Sequence, residues 1–406
     1  MKRCGWILLM VWMLSPLMGL ALPKNVIFMV PDGTGHASLT VARQLKGAPL
    51  ALDRIIYGTI QTRSADSSVT DSAAAATAMA CGVRTYNGAI AVNMEKTPLL
   101  TLGELAHRQG KAVGCVTTDN IAGATPGAFS AHALSRNQYG DIFEQQLTSG
   151  FDLFFGGGRK LLTGERKTLL ADQGFTLVTT ADEMKAAQGR VVGLFADDIM
   201  TAMVQRRSGA PCSEPTLPEM ADKALELLSK NPNGFFLLIE GAQVDKGNHD
   251  NDLPWATYEM LAFDETVERV LAWAKAHPGT VIMIAPDHET GGLTILPEPK
   301  EGARVKALSA ITAKGERKGK KFFVNYSTGG HTGVDVFLAG NTPALRPMLN
   351  CDMPQTLGLT PEPLKALTGE TVMREGKPFL KTPDGKLLQS PRDALYISGT
   401  GKWFAR

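Results

Sequence analysis

Short apolar runs bounded by turn residues recur along this chain, with amphipathic segments between them. Asn25–Val30 is such a run, closed by Pro31-Asp32-Gly33, and predicts a buried strand. Gly58–Thr62, Ala112–Val116, Asp152–Phe155, Phe235–Ile239 and Thr280–Ala285 predict further strands. Leu102–Arg108, Pro218–Leu228 and Trp255–Ala276 carry helical spacing. This alternation predicts an α/β fold, doubly wound, with a mainly parallel central sheet and helices on both faces. Pro297–Lys321 breaks the pattern with Pro, Gly and eight basic residues. It reads as a solvated surface excursion or a small cap inserted at about 295–325. From Cys351 onward the chain is rich in Pro and Gly, with weak periodicity. That stretch is expected to form small strands, a wrap over the body, or an interface.

The N-terminus changes the picture of where the protein works. Lys2 and Arg3 precede an apolar stretch, Trp6–Leu20, and Gly19 and Ala21 are small residues suited to cleavage before Leu22. This predicts a signal peptide over 1–21, with a single catalytic domain over 22–406, exported to the periplasm or the extracellular space. No later segment is apolar for long enough to span a bilayer, so no stable membrane insertion is expected. With 44% hydrophobic and 20% charged residues, the composition suits one large α/β domain. Net charge is +2, and Lys2 and Arg3 account for both positives. A balanced remainder argues against nucleic acid as a dedicated partner. Four cysteines lie beyond the leader, none with C-x-x-C spacing. Cys81 and Cys115 read as buried small residues, and Cys212–Cys351 as a possible bridge.

The candidate chemistry starts at Val69-Thr70-Asp71-Ser72-Ala73-Ala74-Ala75-Ala76. Ser72 stands at the first turn of an alanine-rich helix that Gly82 can end. A helix N-terminus offers free N–H groups and partial positive charge, a setting for an alkoxide or a phosphate. An ordinary N-cap at Asp71 or Ser72 is the plainer reading of that segment alone. Other polar groups cluster where strands end: Asp32, Glu240 to His249, and Asp287-His288. In parallel sheets ligands bind at that end. His36, His107, His132 and His277 lie on helices or their ends, without an adjacent carboxylate. His249, His288 and His331 instead sit beside an Asp or in a loop, as zinc ligands would. Asp245, His249 and His331 form one three-ligand set. Asp32, Asp287 and His288 form another, which Ser72 completes. Two such metals about 4 Å apart can serve both oxygens of an in-line displacement. Glu240 and Thr125, with Asp32 as a bridge, suggest a harder, magnesium-like position. Arg136 and Lys246 are candidate phosphate clamps.

The ordered set of these pieces resembles bacterial alkaline phosphatases. It comprises Pro31-Asp32-Gly33, Val69–Ala73, Gly82–Gly88, Ala124-Thr125-Pro126, Ser135-Arg136-Asn137, Phe154–Gly158, Ile239–Ala242 with Val244-Asp245-Lys246 and His249, Pro286–Gly292, and His331-Thr332-Gly333. The resemblance implies two zinc ions and one magnesium ion per subunit, hydrolysis of phosphate monoesters through a phosphoserine on Ser72, and release of inorganic phosphate. It implies zinc at Asp245, His249 and His331, zinc at Asp32, Asp287 and His288, and magnesium at Asp32, Thr125 and Glu240. Arg136 would hold phosphate oxygens, and a homodimer is expected. Gly123 departs from the family, whose members often carry Asp or His there. In Asp-bearing members that carboxylate supports magnesium and pairs with the lysine matching Lys246, so here Lys246 is expected to be freer to reach phosphate. The alternatives are a phosphodiesterase or sulfatase of the same superfamily, and a non-catalytic phosphate- or metal-binding protein on this scaffold. Gly156-Gly157-Gly158-Arg159-Lys160 lacks the spacing of a nucleotide-binding loop and reads as a tight turn.

Overall fold

A computed structural model describes residues 23–297 and 322–342, and shorter stretches at 351–352, 366–374, 377–389, 395–397 and 402–405. The expected signal peptide and most of the expected cap lie outside the described residues. Eight strands come first: β1 (Asn25–Pro31), β2 (Ile56–Gln61), β3 (Ala112–Asn120), β4 (Leu153–Gly157), β5 (Thr176–Val178), β6 (Val191–Leu194), β7 (Phe235–Gly241) and β8 (Thr280–Ile284). After them come β9 (Glu289–Thr290), β10 (Thr294–Leu296), β11 (Phe323–Asn325), β12 (His331–Thr332), β13 (Val336–Gly340) and β14 (Cys351–Asp352). Ten strands form one sheet in the order β14-β2-β13-β8-β1-β7-β3-β4-β6-β5. Strand β13 runs antiparallel to both β2 and β8, and the other pairings in this sheet are parallel. The expected α/β class and mainly parallel sheet are present.

The apolar runs become strands because both faces of the sheet are covered. In β1, Ile27 and Met29 join one buried core while Phe28 and Val30 join the other. In β7, Phe235, Leu237 and Ile239 likewise part from Phe236 and Leu238. Alternate side chains of a strand point to opposite faces, so a continuous apolar run fills two cores at once. The first face receives the long helix Leu253–Ala276 and the helix Leu217–Leu228. The second receives α2 (Ser72–Cys81) and α4 (Ala124–Ser130), numbered after α1 (His36–Lys46) and with α3 (Leu102–Arg108) between them. The helices begin where local chemistry caps them. Thr101 and Glu104 form a reciprocal capping box on α3, as Thr216 and Glu219 do on Leu217–Leu228.

Three differences from the sequence reading stand out. Strand β3 runs on through Thr117–Asn120, past the expected end at Val116. Strands β5 and β6, at the far edge, are too short to announce themselves by periodicity. Cys212 is exposed and unpaired, so the possible Cys212–Cys351 bridge is not formed, whereas Cys81 and Cys115 are buried free thiols as expected. The ends flanking residues 298–321 lie side by side, because β10 pairs antiparallel with β11 (Thr294 opposite Asn325).

Candidate active site

Parallel strands deliver their carboxyl ends to one edge of the sheet. Asp32 follows β1, Glu240 is the penultimate residue of β7, and Asp287 and His288 follow β8. Gly33 keeps this edge compact. Its φ is +68°, and a Cβ there would lie 2.6 Å from the Asp245 Cα, so the turn after Asp32 tolerates no side chain. The neighbouring helix Gln243–His249 carries Asp245, Lys246 and His249. Strands β9 and β12 pair Thr290 with His331 and bring the last histidine in.

Ser72 is the first residue of α2 and is buried. Asp71 is the N-cap: its Oδ1 accepts from the backbone N–H of Ala74 and of Gly88, both at 3.0 Å. Its Oδ2 accepts from Arg136 Nη1 at 3.0 Å. The plain capping role and the suspected catalytic serine therefore coexist, on adjacent residues. Gly82, at φ 71°, ends the helix through its N–H to the Ala78 carbonyl. The Ser72 Oγ lies 3.2 Å from His288 Nε2.

The histidines expected to bind metal converge, and their tautomers follow from the hydrogen bonds they make. His249 Nδ1 donates to the Gly329 carbonyl at 2.7 Å, and His331 Nδ1 to the Thr70 carbonyl at 2.9 Å. In the neutral rings both Nε2 atoms are then lone-pair acceptors, yet they face each other at 3.1 Å. Asp245 Oδ1 is 3.3 Å from the first and 3.7 Å from the second. His288 Nδ1 lies 3.1 Å from Thr290 Oγ1, whose hydroxyl donates to Asp245 Oδ1 at 2.6 Å. His288 Nε2 is thus a third acceptor, 3.1 Å from Asp287 Oδ2 and 3.6 Å from Asp32 Oδ1. Asp287 Oδ1 takes the N–H groups of Gly33 and His288, while its Oδ2 and Asp32 Oδ1 are buried with no donor. Both expected three-ligand sets are brought together. His288 also lies close enough to Asp245 and His331 to belong to either.

Acceptors facing acceptors in a dry site call for a cation. Burial, and then the charges of Asp287, Asp245 and Glu240, push the Asp32 carboxyl well above its usual range. Burial and then Asp119 push Glu240 to about 7, against a hydrogen bond from Thr117. Asp245 is held below its usual range, because interaction with His249, His288 and Lys246 overcomes its burial. His288 is raised despite burial, chiefly by Asp287, and His249 is raised by its contact with Asp245. His331 is lowered by burial and by His288. The mixed His and carboxylate donors suit zinc. The Glu240 corner is all oxygen, with the Thr125 hydroxyl buried beside the Glu240 carboxylate, which suits magnesium. The residues present therefore fit the implied metals.

One expectation changes. Lys246 is not freed by Gly123. Its Nζ lies 3.7 Å from Asp119 Oδ2 and 3.5 Å from Asp245 Oδ2, and Asp119, Asp245 and Asp32 raise its pKa despite burial. His132, which has no carboxylate beside it in sequence, gains one through packing: Nε2 meets Glu104 Oε1 at 2.9 Å, in a buried pair between α3 and the end of α4, and Nδ1 meets the Ala91 carbonyl. Three residues escaped the sequence reading altogether: Thr117, which donates to Glu240, together with Asp119 and Thr290. Thr290 was findable two places from His288. Thr117 and Asp119 lie just past Val116, where the apolar run ends, and carry no local pattern of their own.

Comparison with known proteins places this geometry. The alkaline phosphatase family profile matches residues 23–344. Alkaline phosphatase 3 of Bacillus subtilis is 35% identical over 291 residues, which cover 67% of this chain and 62% of that protein. The match spans about three-fifths of the length of such curated relatives. The cold-active alkaline phosphatase of a psychrophilic Shewanella superposes with a TM-score of 0.73 at 28% identity, covering 82% of this chain and 98% of the other. A variant of the enzyme from the Antarctic bacterium TAB5, solved with magnesium bound, gives a TM-score of 0.71 at 29% identity and covers 83% and 96%.

Proposed function

The chain belongs to the alkaline phosphatase family, and from that premise we propose that it hydrolyses phosphate monoesters through a phosphoserine on Ser72. The observation that supports this most directly is the Ser72 Oγ, buried at a capped helix N-terminus and 3.2 Å from an imidazole of the His and carboxylate cluster. Ser72 Oγ attacks phosphorus, the P–O bond to the ester oxygen breaks, and the alcohol leaves with a proton. Water then attacks the same phosphorus, the Ser72 O–P bond breaks, and inorganic phosphate departs. The N–H groups of the first turn of α2 and the Arg136 fork hold the charged oxygens through both steps. Asp71 fixes that fork in place. A monoester presents three unesterified oxygens, so that two can meet the Arg136 fork while a third remains for the helix N–H groups, whereas a diester presents only two.

The family is metal-dependent, and the candidate holders divide as the chemistry of their donors suggests. Asp245, His249 and His331 would hold one zinc ion; Asp32, Asp287 and His288, with Ser72, would hold the other. Asp32, Thr125 and Glu240 would hold magnesium, an ion that a TAB5 relative carries. Bound divalent cations supply Lewis acidity, lowering the pKa of a coordinated hydroxyl or water and offsetting phosphate charge.

Incubation with a labelled phenyl monoester, acid quench and peptide mapping test the reading. Label on Ser72 that disappears in Ser72→Ala is the expected result, and turnover of a diester as fast as the monoester contradicts it. Export and a homodimer rest on the leader pattern and on family likeness. Among the described residues no helix is long and apolar enough to cross a membrane. Sedimentation of the purified protein and sequencing of its mature N-terminus test both.

A further inference from the structure

Gly123 removes a side chain that the third-metal corner would use, yet the corner has not lost its carboxylate. A Cβ built on Gly123 would lie 2.8 Å from the Asn120 carbonyl and 3.5 Å from Asp119 Oδ2. The Asn120–Gly123 turn, closed by Gly123 N–H to Asn120 O at 2.7 Å, is thus too tight for a side chain, and the space that one would enter already ends on Asp119. Asp119 Oδ2 stands 3.7 Å from Lys246 Nζ, which otherwise meets only the Asp245 carboxylate, at 3.5 Å, among the ion pairs of the described residues. Its position is fixed from two sides. Its N–H donates to Thr117 Oγ1 at 2.9 Å, and its Oδ1 takes the Asn120 N–H at 2.7 Å. Thr117 in turn donates to Glu240, so a short chain of hydrogen bonds ties Asp119 to the oxygen corner where the Thr125 hydroxyl is buried.

Building on the function proposed above, we infer that Asp119 replaces the missing side chain at 123: it is the outer carboxylate of the magnesium corner and the positioning residue that holds Lys246. An Asp side chain at the end of β3 reaches this corner from the opposite side of the turn, which is why the glycine is tolerated.

The test uses the zinc-loaded full chain and two titrations, with Mg²⁺ and with inorganic phosphate, followed calorimetrically in wild type, Asp119→Asn and Asp119→Glu. Asp119→Asn is expected to weaken Mg²⁺ binding at least tenfold with zinc content unchanged, and Asp119→Glu is expected to fall between. Asp119→Asn is also expected to tighten phosphate binding threefold or more, as Lys246 is released toward the anion. In a Lys246→Met background that second effect is expected to vanish. Mg²⁺ affinity within twofold of wild type, absence of Mg²⁺ binding in both proteins, or the same phosphate shift without Lys246 overturns the inference. Labelling of Ser72 in wild type is read separately. Label on Ser72 with unchanged Mg²⁺ affinity therefore removes the role of Asp119 alone, whereas an unlabelled Ser72 removes the phosphatase reading.

Discussion

Asp71 joins Arg136 to the helix that Ser72 begins: one carboxylate oxygen caps that helix, and the other takes Arg136 Nη1 at 3.0 Å. Nucleophile and clamp therefore share one anchor. Asp71→Ala is expected to weaken inhibition by phosphate about threefold to tenfold, as the fork loses its rest position. The same change costs the N-cap, and about 1–2 kcal/mol of stability with it. Product inhibition and urea unfolding measure the two losses. A variant that lost stability but kept its phosphate affinity would show that Asp71 only caps.

Asp32 carries a charge that the fold can ill accommodate alone, since burial and three neighbouring carboxylates oppose it. Asp32→Asn is therefore expected to raise the melting temperature in excess chelator and to lower it with zinc present, where a ligand is missing. Thermal unfolding under the two conditions reads the sign. The same sign in both would contradict a cation-holding role.

Thr290 joins the two halves of the cluster through Asp245 Oδ1 and His288 Nδ1. Thr290→Val keeps the shape and removes the hydroxyl. Partners that orient metal ligands are worth about 10-fold to 100-fold in affinity. Competition for zinc with a coloured chelator is expected to show a loss in that range, and an unchanged affinity counts against the arrangement.

Away from the site, Glu259 is buried in the helix Leu253–Ala276, where its Oε1 takes the Met203 N–H at 2.6 Å. Burial pushes its carboxyl up from 4.5 to about 7, against that hydrogen bond and Arg206. The folded chain then keeps a proton that the unfolded chain has released, so this group's contribution is complete below about pH 4.5 and is lost as pH rises toward 7. The loss is on the order of 2–4 kcal/mol at ~1.4 kcal/mol per unit. Glu259→Gln is expected to flatten this part of the stability profile and to be the more stable protein at pH 8. Unfolding curves at pH 5 and pH 8 check it, and parallel profiles for the two proteins would refute it.

How much of this was legible in the sequence depended on distance along the chain. Strands β1, β7 and β8 announced themselves because each is an unbroken apolar run buried on both faces, and the polar residues just beyond them marked the sheet's functional edge. Ser72 was legible from its alanine-rich helix and Gly82. Partners set far apart in sequence were not. Asp119 meets Lys246, and Glu104 meets His132, through tertiary packing that leaves no local periodicity to read. The expectation of a freer Lys246 failed for this reason: the loss at Gly123 was visible, and the compensating carboxylate four positions earlier was not.

Strand β13 lies between β2 and β8, which are separated by most of the chain. A chain emerging N-terminus first must leave both of those edges open until residues 336–340 arrive. His331, just ahead of them, comes into reach of Asp245 as that gap is sealed. Closing the sheet and completing the cation trap thus depend on the same short stretch of chain, and a molecule in which that stretch had not docked would hold neither metal nor phosphate securely.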